Sequence, residues 1–135
     1  MRENEFTKKT ILVIDDTPDN LFLVSTLLKG LYVVKVANSG EKALKFLNET
    51  LIPPDLILLD IMMPKLDGVK VLKVIRSLED KKNIQEGKQV KVIMTTALAE
   101  KQYVDKTFEL GCQAYANKPI DAIKFKEVLE KLALI

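Results

Sequence analysis

A doubly wound α/β fold, one parallel sheet covered by helices on both faces, is predicted by three observations. Strand-like and helix-like segments alternate along the whole chain, five of each. Residues 11–14 and 56–59 are uninterrupted aliphatic runs, the pattern of strands buried on both faces. Glycines, prolines and capping residues fall at the joints between segments. Such alternation implies parallel strands joined by right-handed crossovers.

Each element has its own signal. Residues near 11–15 form the first strand. Pro18 then stands where a first helical turn would begin, with Asp16 or Thr17 as cap, and Leu21, Val24, Leu27 and Leu28 follow at helical spacing up to Gly30. Residues 32–36 are the second strand. Ser39 caps a second helix with Ala43, Leu44 and Leu47 on one face. Pro53 and Pro54 break the chain before the strand at 55–60. A loop through Met62, Met63, Pro64, Lys65, Leu66, Asp67 and Gly68 leads to a third helix carrying Val69, Leu72, Ile75 and Leu78. Residues 79–89 are charged and polar, longer than the usual connection of about 4–6 residues, and read as a frayed helix end plus a solvated loop. A strand near 90–95, a helix over about 99–110 ended by Gly111, and a weaker strand near 113–117 come next. A last helix runs from Asp121, with Phe125, Val128, Leu129 and Leu132 inward.

The bulk properties narrow the function. A chain of 135 residues favours one domain with a core of its own. The organisation expected is a single domain over 1–135, with a core of about 9–133 behind a polar tail at 1–8. A net charge of +2 is too small for strong non-specific attraction to nucleic acid or anionic lipid. No apolar run approaches membrane-spanning length, and residues 1–10 lack the apolar stretch of a signal peptide. Cys112 is the only cysteine, so a reducing, cytoplasmic setting is expected, with Cys112 as a small buried hydrophobe. With no histidine, a His-ligated metal and a His general base are both excluded.

The chemistry lies where the apolar runs end. Asp15 and Asp16 follow the first, Asp60 the second, Thr96 the third and Lys118 the fourth. In the flavodoxin-like strand order 2-1-3-4-5, ligands bind past the carboxyl ends of the strands, where all five are expected to converge. Clustered carboxylates repel one another unless a cation neutralises them. An all-oxygen ligand set favours Mg²⁺ or Mn²⁺ over zinc. Singly, each residue has a plainer reading. Asp15 and Asp16 could serve as helix caps, Thr96 as a β-former with Thr95 competing for the strand end, and Lys118-Pro119 as an extended turn that admits a cis bond. Tyr115 reads as a half-buried aromatic, and Met62 and Met63 as packing.

Together these residues resemble the response-regulator receiver domains of two-component signalling. The acidic pair Asp15-Asp16, then Asp60 with Met63-Pro64 and Asp67-Gly68, then Thr96-Ala97, then Lys118-Pro119 preceded by Tyr115, stand in family order over about residues 9–133. The resemblance implies that Asp60 is the phosphoacceptor, attacking a phosphohistidine of a sensor histidine kinase or phosphotransfer protein. It implies Mg²⁺ held by Asp16 directly, by Asp15 largely through water, by Asp60 and by the Met62 backbone carbonyl. Thr96 would bond the phosphoryl oxygen, Lys118 would pair with it, small Ala97 would leave it accessible, and Tyr115 would change rotamer. Met62 and Leu98 would flank the path of hydrolytic water. The face of helix 99–110, strand 113–117 and helix 121–133 would bind a downstream protein. No other cofactor, nucleic acid or membrane is implied, and no reaction beyond the chain's own phosphorylation and dephosphorylation. The chain reads either as a complete single-domain regulator or as an excised receiver, and its start at Met1 and close on Leu132-Ala-Leu-Ile135 lean toward the first.

Three rivals are weighed against that reading. An Asp-nucleophile phosphohydrolase would carry Asp-x-Asp-x-Thr after its first strand, whereas Asp15-Asp16-Thr17 stands here. A flavin-binding module needs a Ser/Thr/Gly-rich phosphate loop, which the acidic pair would repel. A phosphorylation-independent binding module would not need every acceptor-site element.

Overall fold

The computed structural model describes residues 8–134, with all their side chains but those of Leu98 and Ala99. Of the polar tail expected over 1–8, only Lys8 falls among the described residues. The strands are β1 (Lys9–Ile14), β2 (Tyr32–Ala37), β3 (Leu56–Asp60), β4 (Lys91–Thr96) and β5 (Ala114–Asn117). The helices are α1 (Pro18–Leu28), α2 (Gly40–Glu49), α3 (Gly68–Lys81), α4 (Val104–Glu109) and α5 (Ala122–Lys131). All strand pairs are parallel, in the order β2-β1-β3-β4-β5.

Strand alternation divides the core into two layers. Leu12, Ile14, Ile57, Leu59, Val92 and Met94 point to one face, where Ala43 of α2, Val71, Leu72 and Ile75 of α3, and Val104 of α4 cover them. Ile11, Val13, Leu56, Leu58 and Ile93 point to the other, against Val24 and Leu28 of α1 and Phe125 and Leu129 of α5. Every residue of β3 is buried, because the strand is central and covered on both faces. The Tyr32 hydroxyl donates to the Leu134 carbonyl at 3.0 Å, tying the chain after α5 to the second layer.

The helix starts follow the sequence with one exception. The Ser39, Asp67 and Asp121 side chains each accept a backbone N–H in the first turn behind them. At α1, Thr17 holds the cap position without a side-chain bond. Asp15 reaches over instead, its Oδ1 accepting from the Thr17 amide at 2.8 Å.

Two expectations are corrected. The helix expected over 99–110 is a 3₁₀ segment, Leu98–Tyr103, followed by the short α4. Short helices are held mainly by an apolar face against the core. Lys101, Gln102 and Tyr103 are exposed, and Val104 is the first buried side chain after them. Residues 79–89 are also not wholly solvated. α3 continues through Glu79, which is buried, and a 3₁₀ turn forms at Glu86–Lys88.

Glu79 is buried because Arg76 reaches it. Arg76 Nη1 lies 2.6 Å from Glu79 Oε1 and also donates to the Val90 carbonyl, while Nη2 donates to the Gly111 carbonyl. Glu79 Oε2 accepts the Val90 amide at 2.7 Å. One side chain thus ties α3 to the start of β4 and to the turn before β5.

Candidate functional site

The parallel register sets the site. Ile14 is level with Leu59, and Asp60 is level with Thr95. The residues just past Ile14, at Asp60 and just past Thr95 therefore crowd one edge of the sheet. Asp15, Asp16 and Asp60 each bring a carboxylate oxygen within 4.8 Å of the other two. Asp15 and Asp60 are buried and Asp16 is exposed.

Lys118 arrives from beyond β5. Its amide donates to the Thr96 carbonyl at 2.8 Å, and the Lys118–Pro119 bond is cis. The ammonium lies 2.7 Å from Asp60 Oδ1 and 3.5 Å from Asp15 Oδ2. One cation therefore serves two of three carboxylates.

Asp60 is 1% exposed, and its Oδ2 has no hydrogen-bond partner among the described residues. Burial pushes its carboxyl up to about 6, against the hydrogen bond from Lys118; the Asp15 charge adds to the rise. Burial pulls the Lys118 ammonium down, but the hydrogen bond to Asp60 and the charges of Asp60, Asp15 and Glu100 outweigh it, leaving Lys118 above its ordinary value. The pair's two shifts therefore point in opposite senses for ionisation. Desolvation of Asp60 explains this, since a single ammonium does not repay it.

These observations fit a hard divalent cation. The donors are all oxygens, negative charge exceeds positive, and a buried carboxylate oxygen is left unpaired. The Met62 amide approaches Asp60 Oδ1 at 3.4 Å, so the loop after β3 wraps back over the carboxylate. The loop can do so because Gly68 closes against it. The Gly68 amide donates to the Ile61 carbonyl at 2.7 Å, and a β-carbon there would collide with the Asp60 carbonyl oxygen.

Thr95, rather than Thr96, sits directly opposite Asp60 in register, and Thr96 is one step further out. Thr96 is fully buried, and its hydroxyl donates to the Ala97 carbonyl at 3.1 Å. Tyr115 lies apart from the carboxylates on the α4–β5 side. It is 36% exposed, with Lys101 Nζ 4.8 Å from its ring centre and Phe108 edge-on at 6.2 Å. Met62 is 47% exposed beside the site. The other side chain expected to flank the water path, Leu98, lies outside the described ones. Cys112 is buried as expected, with its thiol pushed up by burial.

Sequence reasoning missed two contributors. Glu100 accepts the Ala97 amide at 2.9 Å through Oε1 and lies close enough for its charge to act on Asp60 and Lys118. The three-residue spacing from Ala97 to Glu100 was its signal, hidden because alanine cannot complete a capping box. Gly68 was visible as a motif residue, but its contact with the Asp60 backbone was not. A cleft of about 590 Å³ lies at the opposite end of the sheet, between Lys9, Glu79, Val90 and Leu134. The carboxylates there are already engaged: Glu79 by Arg76 and Val90, and Asp55 by the Thr10 amide. The chemistry therefore resides at the acidic edge.

Comparison with known proteins agrees with the geometry. The family model described as the response regulator receiver domain matches residues 11–130. The polar-differentiation response regulator DivK of Brucella ovis is 32% identical over 123 residues, covering 90% of this chain and 94% of DivK. A probable cyclic di-GMP phosphodiesterase of Vibrio cholerae is 35% identical over 120 residues, but they cover 89% of this chain and 25% of that protein. The chain thus spans about a quarter of that longer relative. The receiver domain of the sensor histidine kinase PA1611 from Pseudomonas aeruginosa, solved with magnesium in its active-site cleft, has 27% identity and a TM-score of 0.74. That match covers 93% of this chain and 97% of the other.

Proposed function

The chain belongs to the response regulator receiver domains of two-component signalling, and from that premise we propose that Asp60 is its phosphoacceptor. The observation that carries this reading is the Asp60 carboxylate itself. It is buried at a strand end, held on one oxygen by Lys118, without a partner for the other among the described residues, and flanked by Asp15 and Asp16.

In the transfer, a carboxylate oxygen of Asp60 bonds to the phosphorus of a partner's phosphohistidine. The phosphorus–nitrogen bond breaks, and its electron pair leaves with the imidazole. Phosphoryl transfer of this kind needs positioning and charge neutralisation more than covalent machinery. Lys118 orients the acceptor and then pairs with the phosphoryl group. Thr96 turns its hydroxyl from the Ala97 carbonyl to a phosphoryl oxygen. Asp15, Asp16, Asp60 and the Met62 carbonyl would hold Mg²⁺, with Mn²⁺ as a substitute. Bound there, the ion offsets the negative charge that gathers as phosphoryl and carboxylate oxygens approach one another.

The phosphoryl donor is a sensor histidine kinase or a phosphotransfer protein. The readout is a downstream protein that binds the face of α4, β5 and α5, where Tyr115 changes rotamer. The chain turns over no external substrate, binds no nucleic acid directly, and works in a reducing, cytoplasmic setting.

The test is intact-mass analysis with phosphoramidate and Mg²⁺. The chain should gain one phosphoryl group, Asp60→Asn should gain none, and chelation should abolish the gain. Equal labelling of Asp60→Asn would refute the assignment.

A further inference from the structure

We propose that Glu100 is an internal competitor of the phosphoryl group, a carboxylate that occupies the Ala97 amide beside Asp60 and holds residues 98–103 in their resting turn. This inference rests on Asp60 as the acceptor. It adds a residue that no motif of the chain assigns.

Placement is the first argument. Asp60 is level with Thr95, so the chain at Thr96 and Ala97 runs just past the Asp60 carboxylate, where a group bonded to that carboxylate would project. The Ala97 amide is a backbone donor at that place. It is taken by Glu100 Oε1 at 2.9 Å, while the Glu100 amide donates back to the Ala97 carbonyl at 3.0 Å. The same carbonyl accepts the Thr96 hydroxyl at 3.1 Å. Both donors at the end of β4, the Thr96 hydroxyl and the Ala97 amide, are thus engaged within the Thr96–Glu100 turn. A phosphoryl group presents strong acceptor oxygens. To gain both donors it must draw the hydroxyl off the Ala97 carbonyl and expel the Glu100 carboxylate.

Charge is the second argument. Glu100 acts electrostatically on Asp60 and on Lys118. Three aspartates already cluster at this edge, where one ammonium pairs with two of them. Phosphorylation replaces the single charge of the Asp60 carboxylate with a phosphoryl group of about one and a half to two negative charges, and Glu100 is an acidic neighbour outside the set of carboxylates that would hold a cation. It is only partly buried, and Lys101, Gln102 and Tyr103, which follow it in the 3₁₀ segment, are exposed. Its departure would release the turn that leads into α4, which borders Tyr115 through Phe108 and Lys101. Glu100 would thereby slow phosphorylation at rest and link the acceptor to the output face.

A plain capping residue would behave differently. Loss of a cap lowers stability, and a residue that did only that would not contest the Ala97 amide with the phosphoryl group. The experiment compares wild type, Glu100→Gln, Glu100→Ala and Asp60→Asn under phosphoramidate and Mg²⁺, following labelling by intact mass. Glu100→Ala should label faster by about three- to tenfold, the scale of one contested hydrogen bond, and Glu100→Gln, which keeps a neutral and weaker acceptor, should label faster by less. Both should also bind beryllofluoride more tightly, by the same factors. In the wild type, beryllofluoride should move the Ala97 amide and the Glu100 side-chain carboxyl resonance together. Glu100→Gln and Glu100→Ala labelling at the wild-type rate, with Asp60→Asn blank, would overturn this inference and leave the acceptor assignment standing. Labelling of Asp60→Asn at the wild-type rate would overturn both.

Discussion

Lys118 Nζ lies 2.7 Å from Asp60 Oδ1, yet the pair leaves Asp60 Oδ2 buried with no partner among the described residues. The ion pair is therefore half an arrangement. One oxygen is neutralised, and the other retains a desolvated charge that only a further cation or a proton relieves. In receiver domains that cation is bound at an acidic pocket. The proposed acceptor site thus costs the fold stability.

The cost predicts a pH dependence. The Asp60 carboxyl rises from the ordinary value of about 4 to about 6, chiefly through burial. The folded protein therefore holds a proton across that window that the unfolded chain releases. Stability is lost as pH rises from about 4 to about 6, and the loss persists at neutral pH. In chelator, Asp60→Asn should unfold with a free energy higher by roughly 1–3 kcal/mol at pH 7.5, and the advantage should vanish near pH 4. Urea titrations of both proteins across that range check it. An Asn variant that is less stable at neutral pH would show that Lys118 fully compensates the buried charge.

Gly68 predicts a steric effect on the same residue. Its amide bonds the Ile61 carbonyl, and an added β-carbon would strike the Asp60 backbone. Gly68→Ala should destabilise the fold by at least about 2 kcal/mol and slow labelling of Asp60, because the loop must move away from the acceptor. Gly87→Ala is the control. A β-carbon there meets nothing within 4 Å, so stability should change by less than about 0.5 kcal/mol. Comparable losses at the two glycines would sink the close-approach argument.

How much of this was legible in the sequence depends on whether a residue works through its neighbours in the chain or across the fold. Ile11 to Ile14 and Leu56 to Leu59 announce buried strands because their aliphatic character is continuous, and their ends predict where Asp15, Asp16 and Asp60 meet. Ser39 and Asp121 announce helix starts because capping is local. Segment 98–103 misleads because its residues have fair helix propensity, while Lys101, Gln102 and Tyr103 are exposed and offer no apolar face to the core. Glu79 misleads for the converse reason. In a polar stretch it reads as solvated, and only Arg76, bonding across to Val90 and Gly111, shows why it is buried. Glu100 needed both kinds of knowledge, the local turn to Ala97 and the long-range approach of β4 to β3.

The Arg76–Glu79 pair carries its own prediction. Glu79 is 7% exposed, and Arg76 bridges it to two backbone carbonyls far along the chain. Removing one partner strands a buried charge, at about 3–5 kcal/mol. Arg76→Ala should therefore lower stability by that order. The double variant Arg76→Met with Glu79→Leu should recover part of the loss, since paired removal leaves no uncompensated charge. Equal losses in the single and double variants would mean that the arginine acts through its backbone bonds to Val90 and Gly111 rather than through the carboxylate.

The output face yields the last prediction. Tyr115 rests against the edge of Phe108 and beneath the Lys101 ammonium, and both neighbours lie on the stretch that follows Glu100. Aromatic edge contacts and exposed cation–π contacts contribute on the order of 1 kcal/mol each. An outward ring held that lightly can be moved by a single new charge at Asp60, provided the turn between them has two arrangements. Beryllofluoride with Mg²⁺ should therefore shift backbone resonances in α4, β5 and the first turn of α5, together with the Tyr115 ring and the Lys101 side chain. Phe108→Ala should perturb the Tyr115 ring without any phosphoryl mimic while sparing resonances around Asp15 and Asp60. If shifts with the mimic stay within residues 15–17 and 60–68, the aromatic cluster is packing alone, and the downstream partner must read another surface.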